Sequence, residues 1–349
     1  MGVDLSVVQG EYLRDLLNQP DSLRNTVEFL QESKELRSLA SRLQKRKFKT
    51  IVLTGMGSSF HSLNPLLLQL GTAGHPAILV ETSELIYYRR KLLSPDSLVV
   101  AVSQSGRSVE MIRLLSENRS CAPIIAVSNT ADSPLTRRSS AAVLTRAGEE
   151  FSVSCKTYVC ALMALKFLGD QLCGVPWVRT RKELHAIVKP VTHYLARWKE
   201  CVESMIPGLT GIRQLFLVGR GSSLAAVGTG ALILKESTQF PSEGLSSAAF
   251  RHGPFEMVGP ETFVLVFAGD SKTKELNTRL FEEVHANQGC AELVSQARGE
   301  CGYCLPNAPP SLSPVLEILP VQMLTLALAA IRGREPGKFR LASKITTTE

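Results

Sequence analysis

A nine-residue pattern occurs twice in this chain, and the repeat constrains the fold more than any other feature. Ile51-Val52-Leu53-Thr54-Gly55-Met56-Gly57-Ser58-Ser59 returns 164 residues later as Leu215-Phe216-Leu217-Val218-Gly219-Arg220-Gly221-Ser222-Ser223. Each copy is an apolar run of strand length stopped by Gly-x-Gly-Ser-Ser and followed by a helical pattern. A separation of one domain length within 349 residues points to an internal duplication. Around the first copy, apolar strands at 49–54, 77–80, 98–103, 123–127 and 141–144 alternate with helical segments, the last at 156–173. That alternation predicts an α/β protein with parallel sheets covered by helices on both faces. In the second copy, strands are expected at 214–218, 262–267, 291–295 and 301–305. A long helix should run to Glu236, with others at 273–286 and 315–331.

Three helices are expected before the first strand, over 11–46. Asp21 or Ser22 would cap the second of them, and Ser83 would cap a later helix over 84–92. The polar stretch 178–205, between Pro176-Trp177 and Pro207-Gly208, reads as one linker helix. The expected organisation is an N-terminal helical segment at 1–46, a first sheet domain at 47–175, a linker at 176–206, a second sheet domain at 207–332 and a tail at 333–349.

The strand 98–102 ends at Ser103-Gln104-Ser105-Gly106-Arg107-Ser108, and a helical pattern starts at Val109. Helix starts leave backbone N–H groups unpaired and carry partial positive charge, so they hold anions. A lone serine in such a place most often only caps its helix. Three hydroxyls and a Gln around one turn, with Gly57, Ser58 and Ser59 ending another strand of the same sheet, suit a monophosphate. Ligands of parallel sheets lie outside the carboxyl ends of the strands. In the second copy the corresponding strand ends at Ala268-Gly269-Asp270-Ser271, where Asp270 would repel a phosphate.

Other chemistries are disfavoured. The dinucleotide fingerprint needs a third glycine, but Phe60 and Leu224 stand there, and there is no Walker sequence. His61, His75, His185, His193, His252 and His285 form no HxxxH or HxH pair. The single CxxC, Cys301 to Cys304, has no companion pair for zinc. No metal or other cofactor is expected. The net charge is +7, but basic residues outside 45–49 mostly alternate with acids and aromatics are only 6%. That favours an anionic metabolite over nucleic acid. No run of 18 apolar residues predicts a membrane span, Met1-Gly2-Val3-Asp4 does not open a signal peptide, and eight scattered cysteines suit reduced thiols. A cytoplasmic protein is the expectation.

These two motifs, strand-Gly-x-Gly-Ser-Ser and strand-Ser-Gln-Ser-Gly-x-Ser, resemble the sugar isomerase (SIS) domain. Two such domains in one chain resemble the isomerase half of glucosamine-6-phosphate synthase. The likeness extends to the segment 11–20, to Ser83-Glu84, to Leu234-Lys235-Glu236 and to Arg251-His252-Gly253-Pro254. It also covers the tail around Lys344, five residues from the end. The resemblance implies two tandem flavodoxin-like sheets and a phosphorylated sugar as ligand. Gly57, Ser58, Ser59, Ser103, Gln104, Ser105, Ser108, Val153 and Cys155 would bind that substrate. Glu236 would shuttle a proton between C1 and C2, His252 would assist ring opening, and Lys344 would reach the carbonyl carbon. In this family the His often comes from a neighbouring subunit, so a homodimer is expected.

Some positions depart from the synthase. No segment resembles a glutaminase domain, so glutamine is not expected as the ammonia source. Ile233 and Thr229 replace a Lys and a Glu, and the segment 153–157 is one residue short. These departures favour an aminosugar-6-phosphate deaminase/isomerase, with a fructosamine-6-phosphate deglycase as the alternative. A non-catalytic phosphosugar sensor is the remaining rival, and the presence of Glu236 and Lys344 speaks against it.

Overall fold

The computed structural model describes residues 3–296, 302–341 and 344. They form two compact units. One holds the first copy, with 21–149, 156–186 and Lys344. The other holds 3–20, 150–155 and 187–341, with the second copy.

The chain begins with α1 (Glu11–Leu17), α2 (Gln19–Phe29) and α3 (Lys34–Gln44). α2 starts earlier than expected. Pro20 sits in its first turn, where a missing N–H is harmless, so Asp21 and Ser22 lie inside the helix and do not cap it. Ser22 Oγ instead donates to the Ala147 carbonyl at 3.0 Å. Ser33 caps α3 by accepting from Leu36 N at 3.0 Å.

The first copy continues through β1 (Thr50–Gly55), α4 (Gly57–His61), α5 (Asn64–Thr72), β2 (Ala77–Glu81), α6 (Thr82–Tyr88) and β3 (Ser97–Val102). Then come α7 (Val109–Glu117), β4 (Ile124–Ser128), α8 (Pro134–Arg138), β5 (Ala141–Leu144), α9 (Lys156–Leu172) and α10 (Trp177–Ala186). The cap of α6 is Glu81 and not Ser83, and the helix ends at Tyr88 before a 3-10 turn at Arg90–Leu92. The sheet is parallel with order β2-β1-β3-β4-β5. Val52, Val99 and Ala101 pack with Leu85, Met111 and Leu114 of α6 and α7. Burying each Val or Leu contributes about 1.5–3 kcal/mol. This apolar centre fixes the turns at the strand ends.

The second copy is preceded by α11 (Val188–Ala196) and α12 (Trp198–Leu209). The single linker helix expected over 176–206 is therefore three helices, α10 to α12. Pro190 cannot donate to the Ala186 carbonyl, so the helix restarts at Val188. The second sheet comprises β6 (Gln214–Gly219), then α13 (Leu224–Thr238), β7 (Ser242–Ser246), α14 (Ser247–Arg251) and β8 (Thr262–Phe267). It continues with α15 (Lys274–Ala286) and β9 (Cys290–Val294), and α16 (Ser313–Ile331) follows. Its order, β7-β6-β8-β9, repeats the first. β7, Ser-Glu-Gly-Leu-Ser, is an edge strand without an apolar run, and the sequence pattern misses it. The strand expected near 301–305 is reduced to one bridge between Ser295 and Cys304, and Cys301 lies outside the described residues.

α16 is long and apolar enough to cross a membrane, with mean hydropathy 1.8, but 94% of that stretch is buried. It is the core helix of its unit, packed on α12 and α13. Residues 3–20, in the same unit, dock on it: the Gln19 and Gln322 amides exchange hydrogen bonds at 2.9 and 3.1 Å.

Candidate active site

The pairing of Thr54 with Ala101 sets the turns after β1 and β3 side by side. A Cβ on Gly55 would stand 3.1 Å from Phe60 N and Val102 O, so a side chain there would crowd both turns. The loop after β3 is held mainly by its own backbone. Ser103 Oγ accepts from Gly106 N at 3.1 Å, and Ser105 Oγ accepts from Arg107 N at 3.2 Å. The Gln104 carbonyl accepts from Asn129 N at 3.1 Å and Ser128 Oγ at 3.2 Å. Gly106 has φ +61°, and a side chain there would run into Ser133, the cap of α8.

What this bracing leaves over defines the turn. The side chains of Ser58, Ser59, Gln104 and Ser108 are partly buried, and among the described residues they make no hydrogen bond. Ser108 stands at the cap position of α7 without a side-chain bond. Uncommitted donors gathered at the first turn of a nine-residue helix are suited to an oxyanion.

The equivalent turn of the second copy is different. Ser223 stands five residues after Val218, as Ser59 does after Thr54, and both strand residues pair alike in their sheets. Ser223 is fully buried, and its Oγ donates to Glu317 Oε1 at 2.8 Å. Glu317, on the first turns of α16, is 4% exposed, and its Oε2 is buried without a partner. Burial pushes its carboxyl up to about 7. The Ser223 bond opposes this shift and the Asp270 charge adds to it.

Glu236 lies in the last turn of α13 and is partly buried. The chain beyond α16 closes that helix end. Gly337 N donates to the Ser237 carbonyl at 3.1 Å, and Arg334 Nη1 donates to the Thr238 carbonyl at 3.2 Å. Ser152 Oγ donates to the Gly337 carbonyl at 2.5 Å. Tyr12 is buried in the same neighbourhood, its hydroxyl 3.1 Å from Thr325 Oγ1. Burial holds the Tyr12 phenol well above the usual tyrosine range. The charges of Cys155, Glu236 and Glu150 push the same way, against the Thr325 bond. Glu150 Oε1 accepts from Cys155 N at 3.0 Å and lies 3.5 Å from Cys155 Sγ.

The fold thus gathers Gly57, Ser58, Ser59, Ser103, Gln104, Ser105 and Ser108 at one sheet end. Glu236 and Cys155 share a second neighbourhood, and Val153 is buried in the same segment as Cys155. His252 is exposed at the end of α14, its N–H bonded to the Ala249 carbonyl at 3.0 Å. Lys344 is partly buried. Tyr12 stands in the segment 11–20 already noted for its family likeness, whereas Glu150 and Glu317 carry no sequence motif. Their significance lies in contacts made across long stretches of chain, 313 residues in the case of Tyr12 and Thr325.

Two parallel sheets of flavodoxin-like strand order, one with uncommitted polar side chains at the turn after its third strand, define a tandem α/β protein. The SIS domain model matches residues 29–169 and 208–332, and the chain belongs to the SIS-domain family. It is 28% identical over 350 residues to the glutamine–fructose-6-phosphate aminotransferase (isomerizing) of Pyrococcus horikoshii. That match covers 97% of this chain and 57% of the relative, so the chain spans little more than half of that protein's length. In fold it is similar to the C-terminal domain of the Francisella tularensis glucosamine-fructose-6-phosphate aminotransferase. The TM-score is 0.82 at 22% identity, over 96% of this chain and 100% of that one. It is also similar to glucosamine-6-phosphate deaminase from Thermotoga maritima, with a TM-score of 0.78 at 19% identity, over 97% and 100% of the two chains.

Proposed function

We propose that this protein is an aminosugar-6-phosphate deaminase/isomerase acting on glucosamine 6-phosphate or a close relative. The observation that carries the reading is the first-copy turn. There, Ser58, Ser59, Gln104 and Ser108 keep uncommitted polar groups around the start of α7. A phosphate monoester would accept from those groups and from Ser103 and Ser105. Glu236 would take the proton from C2 of the open-chain sugar and return it to C1, giving a C2 imine. Water would then add at C2 and ammonia would leave, so that one water is consumed and a ketose 6-phosphate is formed. His252 would assist ring opening and Lys344 would contact the carbonyl carbon. Val153 and Cys155 would line the sugar. We place the enzyme in the cytoplasm as a homodimer.

Ammonia release from glucosamine 6-phosphate tests this reading. The wild type should turn over, and Glu236→Gln should not, while still binding the sugar phosphate. Tight binding without turnover by the wild type would overturn the enzyme reading. Amine release from a fructosamine 6-phosphate, without ammonia from glucosamine 6-phosphate, would replace it with a deglycase.

A further inference from the structure

The duplication gave the chain two corresponding turns, and the side chains of the second are committed to partners where those of the first are not. β6 ends at Gly219 as β1 ends at Gly55, and Gly221 has φ +61° where Gly57 has φ +53°. Ser223 occupies the place of Ser59. Counted from the paired residues Ala101 and Val266, Ser105 stands four residues on in the first copy and Asp270 four residues on in the second. In the first copy the Ser59 hydroxyl has no partner among the described residues. In the second, Ser223 donates at 2.8 Å to an oxygen of Glu317, a carboxylate brought in by α16. That geometry is what a hydroxyl of a phosphate-binding turn makes with a phosphate oxygen, at ordinary hydrogen-bond length. The other Glu317 oxygen is buried with no partner, and so is Nε of Arg220 in the same turn. A side chain placed for packing or capping alone would not leave an acceptor and a donor unmatched around one turn.

We propose that the Glu317 carboxyl group is a built-in occupant of the second copy's anion turn, and that removing it together with Asp270 opens a second site for a tetrahedral oxyanion. Glu317 stands where the first copy would hold a phosphate, and Asp270 repels any anion that approaches from solvent. The chain therefore takes one phosphorylated ligand despite carrying two turns. This rests on the reading of the first-copy turn as a phosphate anchor, and the two ideas fail separately.

The test is to count bound inorganic phosphate per chain by equilibrium dialysis of the full-length protein. The wild type should bind one, Glu317→Ala with Asp270→Ser two, and Ser105→Asp none. The combination of all three substitutions should bind one, at the second turn alone. Glu317→Ser with Asp270→Ser serves if the alanine variant is poorly folded, since it keeps a polar group beside Ser223 and removes both acids. A wild type that binds none would overturn the anchor in the first copy. One phosphate in the wild type and still one in the folded Glu317 variants would overturn the built-in occupant.

Discussion

At the ends of β1 and β3, Ser58, Ser59, Gln104 and Ser108 present polar groups that the described protein does not use. At the ends of β6 and β8, the matching serine is bonded to Glu317, and Asp270 stands where Ser105 would be. The strand order, the glycines and the register are shared, so, if the first turn holds the phosphate as proposed, the backbone geometry of an anion turn does not decide whether anions bind. The side chains delivered to it do. A hydroxyl with a free hydrogen offers a neutral donor, whereas a hydroxyl bonded to a buried carboxyl group is already committed.

The largest expected effect separates the turns from the reaction. Glu236→Gln should lower turnover by about 10²–10⁴-fold, the usual share of a positioned acid–base group, while phosphosugar affinity stays close to wild type. Turnover unchanged in that variant would remove Glu236 from the chemistry. Next is the conversion of the first turn into a likeness of the second. Ser105→Asp should weaken phosphosugar binding by at least about 100-fold, or about 3 kcal/mol, through lost donation and added repulsion. A dissociation constant within a few-fold of wild type would show that the turn after β3 does not face the phosphate.

Stability against pH should distinguish the copies as well. The Glu317 carboxyl loses its proton near 4.5 when exposed and near 7 in the fold. The folded state therefore retains the proton between these values. The resulting stabilisation is complete below pH 4.5 and is lost as pH rises through 7, by about 3 kcal/mol in all. Glu317→Gln should remove this slope in urea titrations between pH 5 and 8. A wild-type curve as flat as the mutant's would mean the carboxyl is not held neutral. The smallest effect contrasts the two serines. Ser223→Ala should cost about 1–2 kcal/mol by stripping Glu317 of its donor, and Ser59→Ala less than about 0.5 kcal/mol, both read from denaturation midpoints. Equal costs would erase the distinction drawn between them.

Much of this was legible in the residues because the relevant signals are local. The duplicated Gly-x-Gly-Ser-Ser, the buried run before Ser103 and the alternation of strand and helix predict parallel sheets and the place of the first turn, while the flavodoxin-like strand order follows from the family resemblance. Asp270 already marked the second turn as poor for anions. Features decided by distant parts of the chain were not legible. β7 pairs with β6 although Ser242, Glu243 and Ser246 give it no apolar pattern, because an edge strand needs only its neighbour's hydrogen bonds and one covered face. The linker region follows Pro190, whose effect the overall polarity of 178–205 conceals. The roles of Tyr12 and Glu317 emerge only when α16 brings Thr325 to Tyr12 and Glu317 to Ser223.

The most direct measurement is the calorimetric stoichiometry of glucosamine 6-phosphate on the Glu236→Gln chain, which should bind without turning over. One ligand per chain, abolished by adding Ser105→Asp, is the predicted result. Two ligands per chain, or one that survives Ser105→Asp, would contradict an open first turn beside a second turn closed by the protein's own carboxylate.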